Sequence, residues 1–375
     1  MPITLDGTNG ITTPMYNGSI TANAVTPSVN MKNRIINGAM VIDQRNAGAS
    51  VTATTGTVYS VDRFYVQGSI TSKFTVQQSS TAPAGFINSL LLTSSAATTP
   101  SASDYYYFAQ SIEGLNVADL DWGTANAKTI TISFWVRSSL TGTFSGAVLN
   151  SATDRSYAFT FTINSANTFE YKTVTIVGDT SGTWLKTNGI GILVRFALGA
   201  GSSFLQTAGS WGTGNVVGAT GTTQLISTNG ATLYLTGVQL EVGSTATSFD
   251  YRPYGTELQL CQRYCYAIKA SEASGAYSTF MQQGAYTTTA LTGNFIPKVT
   301  MRVVPTLSTT GTASNYLVFN GTFYTLNSVP AITTDSTPSS FTVDASVSSG
   351  LTAGYVYRMT ANNNNVAYLI FSAEL

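Results

Sequence analysis

The side chains that could do chemistry in this chain point away from catalysis. Histidine is absent, which removes Ser-His and Cys-His nucleophilic sites and the most frequent metal ligand. Two cysteines, Cys261 and Cys265, are spaced four apart. On a helix they would share a face, yet their Cβ directions suit a bridge poorly. With no histidine and no second cysteine pair a zinc site has no ligand set, so both are expected as small buried apolar residues. Carboxylates remain, and glycan cleavage needs two of them about 5–9.5 Å apart in one cleft. The chain offers Asp104, Glu113, Asp119, Asp121, Asp154, Glu170 and Asp179 with no repeated motif linking any two. Their expected roles are turns and solvent-facing strand ends, and no enzymatic activity is expected. No glycine fingerprint for phosphate or dinucleotide binding is present.

Recognition of carbohydrate fits these residue types better. Sugar rings present apolar C–H faces that stack on aromatic rings, while their hydroxyls pair with Asn, Asp, Gln and Arg. Tyr105, Tyr106, Tyr107, Trp122, Trp211, Tyr277, Tyr286 and Tyr324 lie in or beside Gly-, Ser- and Asn-rich segments, where loops would expose them. The competing role for each is packing, since Tyr and Trp are commonly half-buried.

The elements that would hold such residues are strands. Charged residues make up only 9% of the 375 positions, against about a quarter in ordinary globular chains. Ser, Thr, Asn and 34 glycines supply the polarity, and 20 Tyr and 18 Phe supply the bulk, a mixture that suits an all-β protein with many tight turns. Lys plus Arg equals Asp plus Glu, 17 each, so no net field favours nucleic acid or an acidic membrane. No apolar run reaches the length of a membrane span, and the first residues do not open a signal peptide. Ile130, Ile132, Phe134 and Val136 alternate with Thr131, Ser133, Trp135 and Arg137, giving one core face and one amphipathic face. Phe159-Phe161-Ile163, Val174-Ile176 and the run Ile190 to Leu198 repeat the pattern, which predicts an antiparallel sandwich. Ile35 to Ile42 reads as a further strand interrupted at Asn37-Gly38, and Asp62-Arg63 as a surface or edge ion pair at the start of another. In the strand Ala231 to Val242 the apolar parity switches at Gly237, which predicts a β-bulge.

Several segments resemble one family. GVQLEVGS followed by FDYRPYGTELQLCQRYCY, NRIINGAM preceding DQR, then DRF, SFWVR, FEYKTVTI and the closing SGLTAGYVYRMTANNNNVAYLIFSAEL are similar to a module of tailed-phage fibre and appendage proteins. Phe64 stands where that module has tryptophan, and Cys265 where it has a second tyrosine. The similarity of Asn33 to Tyr254 is to a carbohydrate-binding jelly-roll. It implies an all-β fold: a jelly-roll β-sandwich followed by a smaller β-rich C-terminal tip domain, assembled as a homotrimer. It also allows a structural calcium ion; hard cations need clustered oxygens, and no DxDxDG spacing is present. No other cofactor is expected.

Four regions follow. Residues 1–31 are an extended N-terminal segment, read either as a disordered leader or as a stem ordered by partners; the resemblance favours attachment to other tail or baseplate proteins. Residues 32–254 form the sandwich. Residues 255–270 are a joint. In it Thr256 and Gln259 fit a capping box, and Leu258, Cys261, Tyr264, Cys265 and Ile268 share a helical face, although the same residues also read as a strand. Residues 271–375 form the tip, where Met301 to Thr306 reads as a strand stopped by Pro305 and Asn362 to Asn365 as a turn. Val366, Tyr368, Leu369, Ile370 and Phe371 are apolar on both faces of the last strand, which suggests cover by another subunit. The resemblance implies a phage virion protein, made in the host cytoplasm, that grips host surface polysaccharide by multivalent adhesion. Two alternatives are a collar, head-appendage or baseplate component that touches no receptor, and a capsule-degrading glycosidase.

Overall fold

The computed structural model describes residues 4–6, 10–12, 31–270 and 277–375. Thr4–Asp6 and Gly10–Thr12 form an antiparallel hairpin within a unit of their own, Met1–Lys32. Most of the expected attachment segment lies outside the described residues. Asn33–Leu375 form a second compact unit. No helix among the described residues is long and apolar enough to cross a membrane.

The larger core is a jelly-roll β-sandwich of two antiparallel sheets. One has seven strands in the order Trp211–Gly212, Ser156–Ile163, Gly142–Leu149, Ile190–Ala200, Tyr105–Glu113, Phe64–Gly68, Val58–Tyr59. The other has six: Glu170–Ile176, Ile130–Ser138, Thr232–Val242, Ser89–Ser94, Phe74–Ser79, Val51–Thr52. The alternating sets meet between them, with Ile130, Ile132, Phe134 and Val136 opposite Phe108, Phe144, Phe161 and Phe196. Phe134 and Phe161 are in edge contact at 5.0 Å, and Phe108 stacks on Phe196 at 4.9 Å. Their outer faces differ. Residues 201–219 fold back over the seven-stranded sheet, so Phe204, Leu205, Val216 and Val217 cover Tyr105, Tyr107, Ala109 and Leu193. The outer face of the six-stranded sheet keeps its aromatic residues partly in solvent.

At Gly237 the strand Thr232–Val242 shifts register against Ile130–Ser138, between Thr236 and Gln239, with φ +62° at the glycine. That is the expected bulge. Ile35 to Ile42 is not a strand. Asn37 sits in the left-handed region, its amide donates to the Ile42 and Asp62 carbonyls and its oxygen accepts from the Ile42 amide, so one side chain replaces a ladder. Gln110 exchanges two further bonds with Ile36. Gly38 lies against the bulged strand, where a Cβ would meet the Val238 carbonyl oxygen at 2.1 Å.

The joint begins with a helix, Tyr254–Gln262, entered through Pro253 and without a side-chain cap. The capping box therefore does not form. The helical face does not extend to Ile268 either, because Cys265–Lys269 is a strand paired with Tyr368–Ser372. Both cysteines are free and buried, and burial pushes their thiols well above the usual range.

The second core lies between a seven-stranded and a three-stranded sheet. The three-stranded sheet places Tyr368–Ser372 between Cys265–Lys269 and Thr306–Ser308. The strand near Pro305 follows the proline instead of preceding it, since Pro lacks the N–H that a ladder needs. Asn363 has positive φ in the expected turn. Leu369 and Phe371 are fully buried, Ile370 nearly so, Tyr368 half-buried and Val366 exposed. The strand's apolar faces are thus covered by its own chain, and they do not call for a second subunit.

A polar junction binds the two cores. Asp62 and Arg63, expected at the surface, are both buried. Arg63 pairs with Glu374 and lies 3.6 Å from the Tyr264 ring centre; Arg45 pairs with Glu374 at 3.1 Å. Arg263 donates twice to Glu113, at 2.8 and 2.6 Å, and the Tyr264 hydroxyl donates to the same carboxylate. Arg302 holds the Ala373 and Glu374 carbonyls. Arg45, Arg63, Arg263 and Glu374, from the DQR, DRF, CQRY and SAEL segments, therefore converge on one place.

Candidate functional site

Trp135 and Tyr171 build the open face. Each occupies the outward parity of an alternating strand, and the register pairs them directly across neighbouring strands. Their rings lie 5.5 Å apart at 49°, with Trp135 half-buried and Tyr171 43% exposed. Neighbouring positions continue the surface: Arg137 lies 4.9 Å from the Tyr234 ring centre.

Beside this shelf lies a cleft of about 630 Å³ lined by Trp135, Tyr171, Ser133, Gly237, Thr247 and Phe249. Its far wall is a trio of rings, Phe86, Phe249 and Tyr251, with centres 4.9–5.5 Å apart. The bulge makes room for them. A Cβ on Gly237 would come within 2.7 Å of the Phe86 ring. The trio comes from two loops, STAPAGF and SFDYRPYG, tied where the Tyr251 hydroxyl donates to the Gly85 carbonyl at 3.0 Å. Behind the trio is a second cavity, about 310 Å³, reached past Ile87 and Tyr254.

The eight aromatic residues singled out from sequence lie elsewhere. Tyr106 is fully buried in the sandwich core, and Tyr107 is buried under residues 201–219 with Arg195 over its ring at 4.7 Å. Tyr105 packs on Phe204 at 5.0 Å. Trp122 and Trp211 join Trp184 in a cluster of edge contacts at 4.6–5.5 Å. Tyr324 is half-buried against Tyr357. Loop exposure fails for these six because five of them stand in strands, Tyr105–Glu113, Trp211–Gly212 and Phe323–Thr325, and Trp122 packs into the tryptophan cluster. Tyr277 and Tyr286 are exposed; Tyr277 stacks on Phe323 at 5.1 Å. The sequence reading passed over Trp135 as a site residue. Its signal was present as a tryptophan on the amphipathic parity of the strand.

The seven carboxylates are engaged locally. Asp104 accepts from Ser101 and Ser69, Asp119 pairs with Arg34, Asp121 with Lys186, Asp154 accepts from Asn150, and Asp179 pairs with Arg155. Glu170 is partly desolvated, but Lys172 and two backbone amides outweigh that and hold it down at about 2. Burial raises Glu113, yet the Arg263 and Tyr264 donors leave it below its usual value. Among the described residues no three of His, Cys, Asp and Glu stand together, so the acidic side chains do not supply the clustered set that a calcium ion takes.

No family model and no curated protein matches this chain. Among solved structures it is similar to the enzymatically active domain of bacteriophage CBA120 tailspike protein 4, at 13% identity and TM-score 0.29 over 56% of this chain and 21% of that one. A CBM4 structure aligns at 17% identity and TM-score 0.28, over 55% and 98%. The family 11 carbohydrate-binding module of a Clostridium thermocellum cellulosomal cellulase aligns at 12% identity and TM-score 0.27, over 54% and 98%.

Proposed function

We propose that this chain is a carbohydrate-binding component of a phage tail fibre or appendage, and that it holds host surface polysaccharide on the Trp135–Tyr171 shelf. The observation that carries the reading is the asymmetry of the sandwich. One sheet is covered on its outer face, while the other keeps two adjoining rings beside an open cleft. Rings of this kind stack on the C–H face of a sugar, and beside them the exposed Thr247 hydroxyl, which donates to Glu241, has lone pairs left to accept. The protein acts by binding and not by cleavage, a role supported by the local engagement of its carboxylates. One shelf is a weak site. Three chains per fibre, the arrangement implied by the family resemblance, would raise avidity by orders of magnitude without new contacts. Attachment to the virion falls to the N-terminal segment.

The test is an array of bacterial surface polysaccharides probed with the full chain and with Trp135→Ala. The side chain lies on the outer face, so the sheet survives its loss. Loss of a stacking ring is expected to weaken binding roughly tenfold, whereas Tyr286→Ala leaves it unchanged. Equal binding by Trp135→Ala and the unaltered chain would overturn the shelf.

A further inference from the structure

We infer that the smaller cavity behind the aromatic trio receives an apolar substituent, an acetyl group, carried by a neutral sugar seated on the shelf; this rests on the shelf being the glycan site. The two cavities share Phe86, Phe249 and Tyr251 as a common wall. A ligand that lies on Trp135 and Tyr171 and reaches across the cleft meets this wall, and a substituent passing its rim at Tyr251 enters the second cavity.

The chemistry of the two spaces differs. No charged side chain lines the outer cleft, whose polar groups are hydroxyls and backbone, so it suits an uncharged ring. Gly38, Ala39, Val41 and Ile87 give the inner cavity apolar walls. Apart from the exposed Tyr254 hydroxyl at its mouth, its polar side chains are engaged within the chain. Glu257 accepts from the Asn37 amide and from Arg252. Arg252 also donates to the Asn33 and Ile35 carbonyls. The Asn33 amide group donates to the Val238 carbonyl, while its oxygen accepts from the Ile35 and Leu240 amides. A sugar hydroxyl pushed past Tyr254 into the depth of this space would lose water among groups already engaged, which is penalised. A methyl group entering it would leave water for apolar contact, which is favoured. At about 310 Å³ the cavity stands at the lower end of small-molecule sites, roughly 300–1,000 Å³. It has ample room for an acetyl group. The rim leaves Ile87 72% and Tyr251 59% exposed, apolar surface that such a ligand would cover.

The experiment titrates the full chain with pairs of ligands that differ only in acetylation. The pairs are chitotriose against cellotriose, and an O-acetylated bacterial polysaccharide against the same polymer after mild base. The acetylated member is expected to bind at least tenfold tighter. Ala39→Trp, which fills the cavity, removes that preference and leaves affinity for the unacetylated member unchanged. Ile87→Ser, at an exposed position, reduces the preference without endangering the fold. Trp135→Ala weakens both members of each pair. Equal binding of both members by the unaltered chain overturns the inference alone. So does a preference that survives Ala39→Trp, including the case in which that variant loses only assembly with other proteins because an apolar protein side chain is the true occupant. Binding of neither member overturns the shelf, and the inference with it.

Discussion

Replacing Glu374 with alanine tests the junction most directly. The carboxylate side chain is 6% exposed and stands between Arg63 at 1% and Arg45 at 12%. Removing it leaves two largely buried guanidinium groups without their shared anion; Arg63 keeps its bond to the Ser111 carbonyl and its contact with the Tyr264 ring. Removing one member of a buried pair costs about 3–5 kcal/mol. With a urea dependence of about 3 kcal/mol per molar, the midpoint falls by roughly 1–1.7 M. Tyr266 and Phe371 belong to the second core, so its unfolding should move ahead of the sandwich, visible as a separate aromatic near-ultraviolet transition and as earlier proteolysis between the cores. Asp121→Ala is the control: its partner Lys186 is 3.4 Å away and both are more than 40% exposed, where a pair contributes about 0–1 kcal/mol. If Glu374→Ala loses no more than this control, the junction is a surface decoration and the reasoning fails.

Two further predictions concern the same framework. Burial raises Asp62 to about 6 against the opposing influence of Arg45 and Gln44; below that pH the folded chain holds a proton that the unfolded chain lacks until near its ordinary value. The contribution of Asp62 to stability therefore grows as pH falls from about 6 to about 4, and the stability advantage of Asp62→Asn over the unaltered chain should shrink by about 3 kcal/mol across that window in paired denaturation series; a constant difference refutes the assignment. Gly237→Ala should destabilise by about 1–3 kcal/mol, from the left-handed backbone and the contact with Phe86. It should also impair glycan binding more than that loss accounts for, because Phe86 walls both cavities; unchanged thermal stability in calorimetry would contradict the bulge geometry.

Local patterns carried the sandwich strands and little of what joins them. Ile130 to Val136 could be read because each alternate residue meets the same core, and Gly237 because a parity switch leaves a visible defect. Asn33 to Ile42 could not. Its apolar texture matches a strand, yet its conformation is set by Asn37 and by Gln110, 74 residues away from Ile36. Asp62-Arg63 reads as an exposed pair because adjacent opposite charges usually are one; the true partner of Arg63 lies 311 residues on. The shelf was half legible. Trp135 could be found on the polar parity, but its pairing with Tyr171 depends on register, and register is a tertiary property. The terminal strand's two apolar faces were visible and their cover was not, since Cys265–Lys269 and Thr306–Ser308 are remote in sequence.

The junction also sets a clock on biosynthesis. Arg45 and Arg63 precede Glu374 by 329 and 311 residues, so at about 5–20 residues per second a ribosome needs roughly 15–60 s to deliver their counter-ion. During that interval the sandwich strands are already outside the ribosome while two guanidinium groups await their anion. A chain whose translation stops anywhere in the tip leaves Arg45 with Asp62 alone and Arg63 without its ion-pair partner, and it carries a lasting chemical mark of its own incompleteness.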